Sequence, residues 1–274
     1  MRLAERIAAC RPRQETIALF YLAQAGFFMK YADGRTVCID PYPGDCCEAM
    51  FGFKRMIPAP LAIDEIKPDL LISTHSHADH LDPDLVRRAA QGTTIFVGSP
   101  DCLPLYLDCG IPEERIVILA AGESREVRGV MLRAVYADHG ESAPDAVGML
   151  VRYDGMTVYD TGDTAVRIPE ITASLNGASV DLMLVPINPA FGNPGAEGAV
   201  KLAASVRPQV VIGSHFGMFI EHGGDPGEFL ACAGRILPQA IKPLILAPAE
   251  ALYWSSTSVI METQAQAEGK VKIK

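Results

Sequence analysis

The sequence contains no apolar run long enough to cross a membrane and no apolar leader at its start. The longest apolar stretch, TIALFYLAQAGFFM at residues 16–29, is interrupted by Gln24 and Gly26 and falls short of the roughly 20 residues that a spanning helix needs. The first ten residues, MRLAERIAAC, lack the apolar centre of a secretory signal. We therefore expect a cytoplasmic protein with no membrane partner.

A net positive charge and CxxC pairs are also lacking. The 274 residues carry a formal net charge of −9, whereas non-specific binding to nucleic acid requires a basic surface. The seven cysteines are odd in number and include no CxxC pair, which indicates reduced thiols rather than a disulfide framework. These absences favour an intracellular protein that acts on a small molecule and has no nucleic-acid partner.

Histidine is scarce too, with six in the chain, but three of them lie within residues 73–84, STHSHADHLDPD. Side chains at i and i+2 of an extended segment point the same way, so His75 and His77 share a side. The chain then turns into a helix, which lets Asp79 and His80 face a neighbouring position. Imidazole and carboxylate ligands fit Zn²⁺, Mn²⁺ or iron, and the absence of nearby thiolates disfavours a closed structural zinc site. The alternative is a solvated loop that is rich in histidine.

Three more polar residues follow predicted strands elsewhere in the chain. His139 follows MLRAVYAD, Asp163 lies in YDTGDT, and His215 ends the segment QVVIGSH. Residues just past the ends of strands are held by a rigid scaffold and commonly form sites. A single histidine at a strand end is more often a hydrogen-bonding residue than a ligand, but His139 and His215 together with the cluster account for five of the six histidines. The combination favours a metal site over the solvated loop.

Strand and helix patterns alternate along the chain, which is typical of an α/β fold. Asp33-Gly34 predicts a tight hairpin turn. Asp82 is a good helix N-cap with Pro83 at the first helical position, and a longer helix is predicted over about 195–206. The predicted strands are TIALFYL, GFFMKY, TVCID, DLLIS, TTIFVG, RIVILA, the two halves of VRGVMLRAVY, the two halves of GMLVRYDGMTVYD, VDLMLVPI, QVVIG, PLILAP and ALYW.

Two pairs of segments are similar to each other. GFFMKYADGRTVCID (26–40) matches GMLVRYDGMTVYD (148–160), and KPDLLISTH (67–75) matches RPQVVIGSH (207–215). Such self-similarity indicates a duplicated α/β half, with two sheets back to back and helices outside. The alternative is that the loose match arose by chance.

The composition does not divide the chain. No long linker or low-complexity segment interrupts it, so we predict a single domain over residues 1–274 with its core at about 16–254. The last fourteen residues, METQAQAEGKVKIK, are predicted to form a polar, peripheral tail.

The order of these motifs resembles the metallo-β-lactamase superfamily, and within it the L-ascorbate-6-phosphate lactonase-like branch. The residues that carry the resemblance are QAGFFMK, CIDPY, LISTHSHADHLDPD, AVGMLVRYDGMTVYDTGDT, LVPIN and VVIGSHFG, which cover most of residues 18–250. The resemblance implies an αββα four-layer sandwich with the site at the edge of the sheets. It also implies a divalent metal cofactor, Zn²⁺ or Mn²⁺, with one or two ions per chain.

The resemblance assigns a role to each candidate ligand. His75, His77 and His139 would hold one ion, while Asp79, His80 and His215 would hold a second. Asp163 would bridge the two ions. Asp40 would support the site from behind its ligands, because a ligand histidine needs its other nitrogen anchored. All of these positions are filled by the expected residue types.

The predicted activity is metal-dependent hydrolysis. A metal lowers the pKa of bound water to roughly 7 and so supplies hydroxide at neutral pH, and Asp79 is the predicted catalytic residue that orients this water and passes on its proton. We expect a lactonase acting on a small polar lactone, including phosphorylated sugar-acid lactones. The alternatives are hydrolysis of a small phosphodiester or an N-acyl phospholipid, and a non-catalytic metal-binding scaffold.

Two further residues are candidates for contact with the substrate. His222, the sixth histidine, lies among glycines in HFGMFIEHGGDP, and Arg55 could bind a phosphate or carboxylate. The alternatives are an exposed loop position for His222 and a solvated surface position for Arg55. No segment of the sequence identifies a subunit interface, so assembly into a homo-oligomer is left open.

Overall fold

The computed structural model describes residues 1–255 and the strand Ser258–Glu262. The predicted polar tail is shorter than expected at its start, because Met261 and Glu262 belong to that strand. The rest of the predicted tail, residues 263–274, lies outside the described residues. Of the helices that the structure describes, none combines the length and the apolar character needed to cross a membrane.

The described residues form fifteen strands in two sheets. In chain order the strands are β1 (Thr16–Tyr21), β2 (Phe27–Lys30), β3 (Thr36–Ile39), β4 (Leu70–Ser73), β5 (Ile95–Gly98), β6 (Ile116–Ile118), β7 (Ser124–Val127), β8 (Val130–Tyr136), β9 (Val147–Tyr153), β10 (Met156–Asp160), β11 (Leu182–Pro186), β12 (Val210–Ser214), β13 (Lys242–Ile245), β14 (Ala251–Ser255) and β15 (Ser258–Glu262). The first sheet has the order β15-β14-β1-β2-β3-β4-β5-β6, and the second has the order β13-β12-β11-β10-β9-β8-β7.

Helices cover the outer face of each sheet. The α-helices of the described residues are α1 (Leu3–Ala9), α2 (Cys46–Phe51), α3 (Pro83–Ala89), α4 (Leu103–Asp108), α5 (Ile168–Ser174), α6 (Gly195–Val206) and α7 (Pro226–Ile236). Leu3 of α1 and Leu85 of α3 belong to the apolar cluster on the outer face of the first sheet. Val200 of α6 and Phe229 of α7 belong to the corresponding cluster on the second sheet.

Strand β1 shows how the sequence produces these layers. Alternate side chains of a strand point to opposite faces of its sheet. Ile17 and Leu19 accordingly belong to the cluster between the two sheets, whereas Ala18 and Phe20 belong to the cluster under the helices. A strand covered on both faces is apolar at every position, which is why these strands read as continuous apolar runs. The predicted αββα sandwich is confirmed.

Both sheets repeat one topology. Strands β1, β2 and β3 are antiparallel neighbours and β3 to β6 are parallel, while β8, β9 and β10 are antiparallel and β10 to β13 are parallel. The two Asp-Gly hairpins therefore occupy equivalent places. The second predicted match is offset by one strand, because β4 lies beside β3 whereas β11 separates β12 from β10. Strand β11, not β12, is the counterpart of β4.

The strand directions bring several loops to one edge of the sandwich. Strands β1, β3 and β4 run in one direction within the first sheet, as do β8, β10 and β12 within the second. The two sheets are joined directly at this edge, where the Val147 amide donates to the Thr74 carbonyl oxygen at 3.0 Å. The segments that follow these strands contain every residue that the sequence predicts as a metal ligand.

Candidate metal centre

Three histidines form what we call the first trio. His75 and His77 follow β4, and His139 follows β8 of the other sheet. His75 Nε2 lies 3.0 Å from His77 Nδ1, which lies 3.2 Å from His139 Nε2. One ring proton can serve only one such contact, so hydrogen bonds cannot fully satisfy three nitrogens that converge in this way. Convergent imidazole nitrogens are instead the donor set of Zn²⁺ and related divalent ions.

Asp79, His80 and His215 form the second trio. His80 Nε2 lies 3.2 Å from His215 Nε2, and Asp79 Oδ2 lies 3.4 Å from His215 Nε2 and 3.7 Å from His80 Nε2. His215 directly follows β12 and adopts a left-handed backbone with φ of 60°. Such a conformation costs on the order of 1–3 kcal/mol for a non-glycine residue and persists where the surrounding structure enforces it.

Asp163 lies between the two trios. Its Oδ2 is 3.7 Å from His139 Nε2 and 3.4 Å from His215 Nε2, while its Oδ1 is 3.5 Å from His80 Nε2. The buried amide of Asn193 donates to Asp163 Oδ2 at 2.7 Å and so fixes the carboxylate. One carboxylate that faces both trios is the geometry expected of a bridging ligand.

Asp40 holds His80 from behind. Its Oδ2 lies 2.7 Å from His80 Nδ1, and its carboxylate also accepts from the Thr74 amide at 2.8 Å and from Thr74 Oγ1 at 2.5 Å. Asp40 is fully buried and has φ of 45°. A hydrogen bond from Nδ1 to this carboxylate leaves the His80 Nε2 lone pair directed at the second trio, which is how ligand histidines are commonly oriented.

The centre has a strongly anionic interior. Burial lowers the pKa of the His80 imidazole, but the carboxylates of Asp163, Asp79 and Asp40 outweigh burial and raise that pKa well above its ordinary value. Burial raises the pKa of Asp163, but His215 and His80 outweigh it and hold that pKa well below its usual range. The pocket thus favours a cation, and a divalent metal binds such sites by displacing protons from its ligands.

Gln24 also lies at the candidate site, although its residue type gave no indication of this. Its side chain is fully buried, and Nε2 lies 2.8 Å from Asp79 Oδ2 and 3.0 Å from His222 Nδ1. The Gln24 carbonyl accepts from the His215 amide at 2.7 Å and from the Tyr21 hydroxyl at 2.9 Å. Its position just past β1 is the signal that could have identified it, because the other site residues also follow strands.

His222 lies beside the second trio. Its ring stacks on that of His215 with centroids 4.9 Å apart, and the Phe53, Phe191 and Phe219 rings surround it at 5.7, 5.2 and 5.1 Å. Burial, followed by the neighbouring His215, lowers the pKa of His222 to about 4. The buried His222 therefore lies in the candidate site and not in an exposed loop position.

A cavity of about 440 Å³ opens onto both trios. Its polar lining includes His77, Asp79, His139, Asp163 and His215, and His222 also borders it. This volume lies within the range of about 300–1,000 Å³ that is typical of small-molecule sites. The cavity gives a small molecule direct access to the candidate metal ligands.

Arg55 does not line this cavity. Its guanidinium donates to the carbonyl oxygens of Tyr42 at 2.6 Å and Gly44 at 2.8 Å, and it pairs with Asp45 at 3.1 Å. It also lies over the Tyr42 ring, 4.9 Å from the centroid. These contacts use the fork of donors to fix the loop after β3, so the structure gives Arg55 a structural role in place of the predicted contact with substrate.

Comparisons with known proteins agree with this geometry. Residues 35–216 match the family described as "Beta-lactamase superfamily domain". The chain is 28% identical over 246 residues to a UPF0173 metal-dependent hydrolase of Pelotomaculum thermopropionicum, a match that covers 85% of this chain and 97% of that protein. It is 26% identical over 193 residues to the "Probable L-ascorbate-6-phosphate lactonase UlaG" of Escherichia coli, which covers 54% of each.

A solved structure also shares the fold. Igni18, a metallo hydrolase from the archaeon Ignicoccus hospitalis, superposes with a TM-score of 0.71 and 21% sequence identity. The superposition covers 88% of this chain and 99% of that chain. At 21% identity, this similarity shows a shared fold.

Proposed function

The chain is a metal-dependent hydrolase of the metallo-β-lactamase superfamily, and we propose that it hydrolyses a carboxylic ester, in particular the cyclic ester of a lactone. The observation that supports this proposal is the position of Asp79. Its carboxylate belongs to the second trio, lines the cavity and accepts a hydrogen bond from Gln24 at 2.8 Å. A carboxylate that can accept and return a proton is thereby available next to any carbonyl group bound at the trios.

The donor sets fit one or two divalent ions. In the proposal, the first trio and the second trio each hold an ion, with Asp163 facing both. Zn²⁺ and Mn²⁺ both suit imidazole and carboxylate ligands. A bound ion would lower the pKa of water and polarise the ester carbonyl.

The chain's own residues supply the remaining steps. Asp79 accepts the proton of the attacking water and returns it to the leaving alkoxide oxygen, a transfer that contributes about 10²–10⁴-fold to such reactions. Gln24 fixes the orientation of Asp79 during this transfer, and Asn193 fixes Asp163. In a lactone the carbonyl carbon and the leaving oxygen belong to one ring, so ring opening gives a single hydroxy acid as product.

Hydrolysis of a small phosphodiester or an N-acyl phospholipid is the second candidate, because two adjacent ions can bind two phosphate oxygens. Within the described part of the chain, however, no lysine or arginine lines the cavity to pair with a phosphate. For the same reason, we favour an uncharged lactone over a phosphorylated sugar-acid lactone as the substrate. We also propose that the protein is cytoplasmic, because its seven cysteines are free thiols, which persist in a reducing compartment.

The test is hydrolysis by metal-free protein that is reloaded separately with Mn²⁺ and Zn²⁺. The substrates are γ-butyrolactone, L-ascorbate 6-phosphate and bis(p-nitrophenyl) phosphate. We expect metal-dependent opening of a lactone that Asp79→Asn lowers by about 10²–10⁴-fold. Asp84→Asn, which changes an exposed aspartate of α3, is the matched control. Turnover of the phosphodiester alone, or lactone turnover that survives Asp79→Asn, would refute the proposal.

A further inference from the structure

The outer part of the cavity is lined by apolar side chains. Five of these residues, which we call the apolar mouth, come from three separate segments: Met50, Phe51, Phe53, Leu105 and Phe191. Met50 and Phe51 end the short helix α2, and Phe191 lies in the loop between β11 and α6. The mouth is continuous with the candidate metal ligands, because both line the same cavity.

Aromatic rings form a path from the surface to the second trio. The Phe53 ring lies 5.9 Å from the Phe51 ring and 5.9 Å from the Phe191 ring. The same ring lies 5.7 Å from His222, which stacks on His215. Aromatic side chains in such contacts present a large, rigid apolar surface to a ligand.

The exposure of these side chains has no explanation in folding. Phe51 and Phe191 are each 56% exposed and Met50 is 58% exposed. More than half of each side chain therefore stays in water and adds nothing to the hydrophobic stabilisation of the fold. A contiguous group of exposed apolar residues beside a cavity is typical of a ligand-binding surface.

Phe191 provides a second, independent observation. Its backbone has φ of 57°, in the left-handed region that a bulky residue rarely adopts. In this conformation the Phe191 ring lies 5.2 Å from the His222 ring and also contacts Phe53, yet the side chain stays exposed. Strained backbone conformations of this kind cluster at active sites and ligand-binding segments.

The charges around the cavity point the same way. Arg55 lies outside the lining, where backbone carbonyls and Asp45 hold it, and among the described residues no lysine or arginine lines the cavity. The chain as a whole carries a net charge of −9. A substrate with a phosphate beside the reacting bond would therefore meet no counter-charge at the mouth.

We propose that the substrate carries an uncharged alkyl or aryl group that occupies the apolar mouth while its ester lies at the trios. This inference rests on the proposed ester hydrolysis and specifies its substrate class. The reaction adds water across the acyl carbon–oxygen bond, and the apolar group remains unchanged. A lactone with an alkyl chain, or an ester of an apolar acid, fits this description.

The test measures binding and turnover in two matched series on the metal-loaded protein. Binding of butanoate, hexanoate, octanoate and decanoate, which stand for the carboxylate product, is measured by calorimetry. Turnover is measured with γ-butyrolactone, γ-octalactone and γ-decalactone. We expect Kd to fall by about fourfold for each methylene of the ligand that becomes fully buried in the mouth. The value of kcat/KM should rise in parallel until the mouth is filled.

Variants locate the effect. Phe191→Ala and Phe51→Ala should each weaken decanoate binding by about tenfold while leaving butanoate binding unchanged. Leu230→Ala, which removes a 43%-exposed side chain of α7 away from the cavity, is the control and should change neither. Because binding is measured separately, chain-length dependence without lactone turnover would support the inference and refute the proposed reaction.

Two results would overturn the inference. Turnover that is independent of chain length, or fastest with L-ascorbate 6-phosphate, would show that the mouth does not select an apolar group. Unchanged decanoate binding in Phe191→Ala, with a change from dimer to monomer by sedimentation, would instead assign the mouth to a contact between copies of the chain.

Discussion

Asp40 and Asp69 lie at opposite ends of the paired strands β3 and β4 and make the same kind of contact. Asp40 accepts from the amide and hydroxyl of Thr74, and Asp69 accepts from the amide and hydroxyl of Thr36 at 2.9 Å each. Only Asp40 also contacts a candidate ligand, His80, at 2.7 Å. A comparison of the two residues therefore distinguishes the stabilisation of the strand pair, which both provide, from the positioning of His80, which Asp40 alone provides.

Asp40→Asn should lower the affinity for Zn²⁺ by about 10- to 100-fold, because the neutral amide no longer fixes the orientation and basicity of His80. Competition with a chromogenic chelator measures this affinity. Asp69→Asn removes an equivalent carboxylate far from the centre and should leave the metal affinity unchanged. Equal losses in both variants would mean that Asp40 acts only through the strands.

Gln24 allows the proposed catalytic role of Asp79 to be tested. Gln24→Met keeps most of the side-chain volume but removes the hydrogen bond to Asp79, so kcat should fall by about 10- to 100-fold with little change in KM. Steady-state kinetics on the best lactone measures both constants. The exposed Gln14→Met is the control. A rise in KM at constant kcat would contradict a role in positioning Asp79.

The candidate ligands could be predicted from sequence because four of them lie within residues 75–80 and the others follow strong strand patterns. Asn193 could not, since its contact with Asp163 joins residues that are distant in sequence. Gln24 has only its position past β1 as a signal, because its side-chain contact with Asp79 is also distant in sequence. Arg55 shows the converse. An arginine near a predicted site suggests anion binding, but its partners, the Tyr42 and Gly44 carbonyls, are set by the fold.

Helix α3 begins at the predicted N-cap Asp82, and the same residue also contacts a loop beside the candidate site. Asp82 Oδ1 accepts from the Asp84 amide at 2.9 Å and from the Leu85 amide at 3.3 Å, as the N-cap pattern predicts. Asp82 Oδ2 also accepts from the Gly44 amide at 2.7 Å, in the loop that leads to α2. The same carboxylate thus begins the helix after the histidine cluster and holds the segment that carries part of the apolar mouth.

Asp82→Ala should lower the free energy of unfolding by about 2–3 kcal/mol, because it removes a cap and also leaves the buried Gly44 amide without its acceptor. Asp225→Ala removes the cap of α7, where the side chain of the exposed aspartate accepts from the Gly227 and Glu228 amides. That change should cost about 1 kcal/mol. Urea denaturation compares the two, and equal losses would show that the Gly44 contact contributes nothing.

The strands were easier to predict than the short helices. Apolar runs between turn residues identified β1 to β6 and β8 to β14, and the Asp-Gly turns at residues 33–34 and 154–155 were confirmed. Of β7, only Val127 lies in a predicted strand, because its first three residues are polar and exposed. Helices α1, α2 and α5 are only six or seven residues long and were not predicted. A helix this short shows too few turns for its periodicity to be recognised and depends on tertiary packing for its stability.

At the scale of the whole molecule, each trio draws ligands from both halves of the sandwich. His75 and His77 follow a strand of the first sheet and His139 follows a strand of the second, and His215 of the second sheet joins Asp79 and His80. An ion in either trio would therefore link the two halves. Without an ion, contacts between imidazoles and carboxylates join the two halves at this edge.

Metal should consequently raise the stability of the whole protein. A ligand that binds only the folded state adds about 2.7 kcal/mol to the free energy of unfolding at 100 times its Kd. Thermal denaturation with Zn²⁺, Mn²⁺ or a chelator should show a Tm that rises with metal concentration. In Asp163→Asn the rise should be smaller, since the carboxylate that faces both trios is lost. A Tm independent of metal would contradict binding at the trios.

The duplication was predicted from sequence, but the strand order was not. The hairpin match identified equivalent elements, whereas the match between β4 and β12 paired strands that differ by one place in their sheets. Both strands are buried, parallel and followed by histidines, so local sequence does not distinguish them. Their places depend on the crossover connections, which only the assembled sheet defines. The single domain over the full chain stays a prediction.

Metal-dependent ester hydrolysis is tested most directly by titrating metal-free protein with Zn²⁺ or Mn²⁺ and recording lactone hydrolysis against the number of ions bound per chain. We expect no hydrolysis without metal and a rise that ends at one or two bound ions. His139→Ala and His215→Ala should each weaken metal binding at their own trio. Full hydrolysis in the metal-free protein, or metal bound at the expected stoichiometry with no hydrolysis of any ester, would refute a metal-dependent esterase.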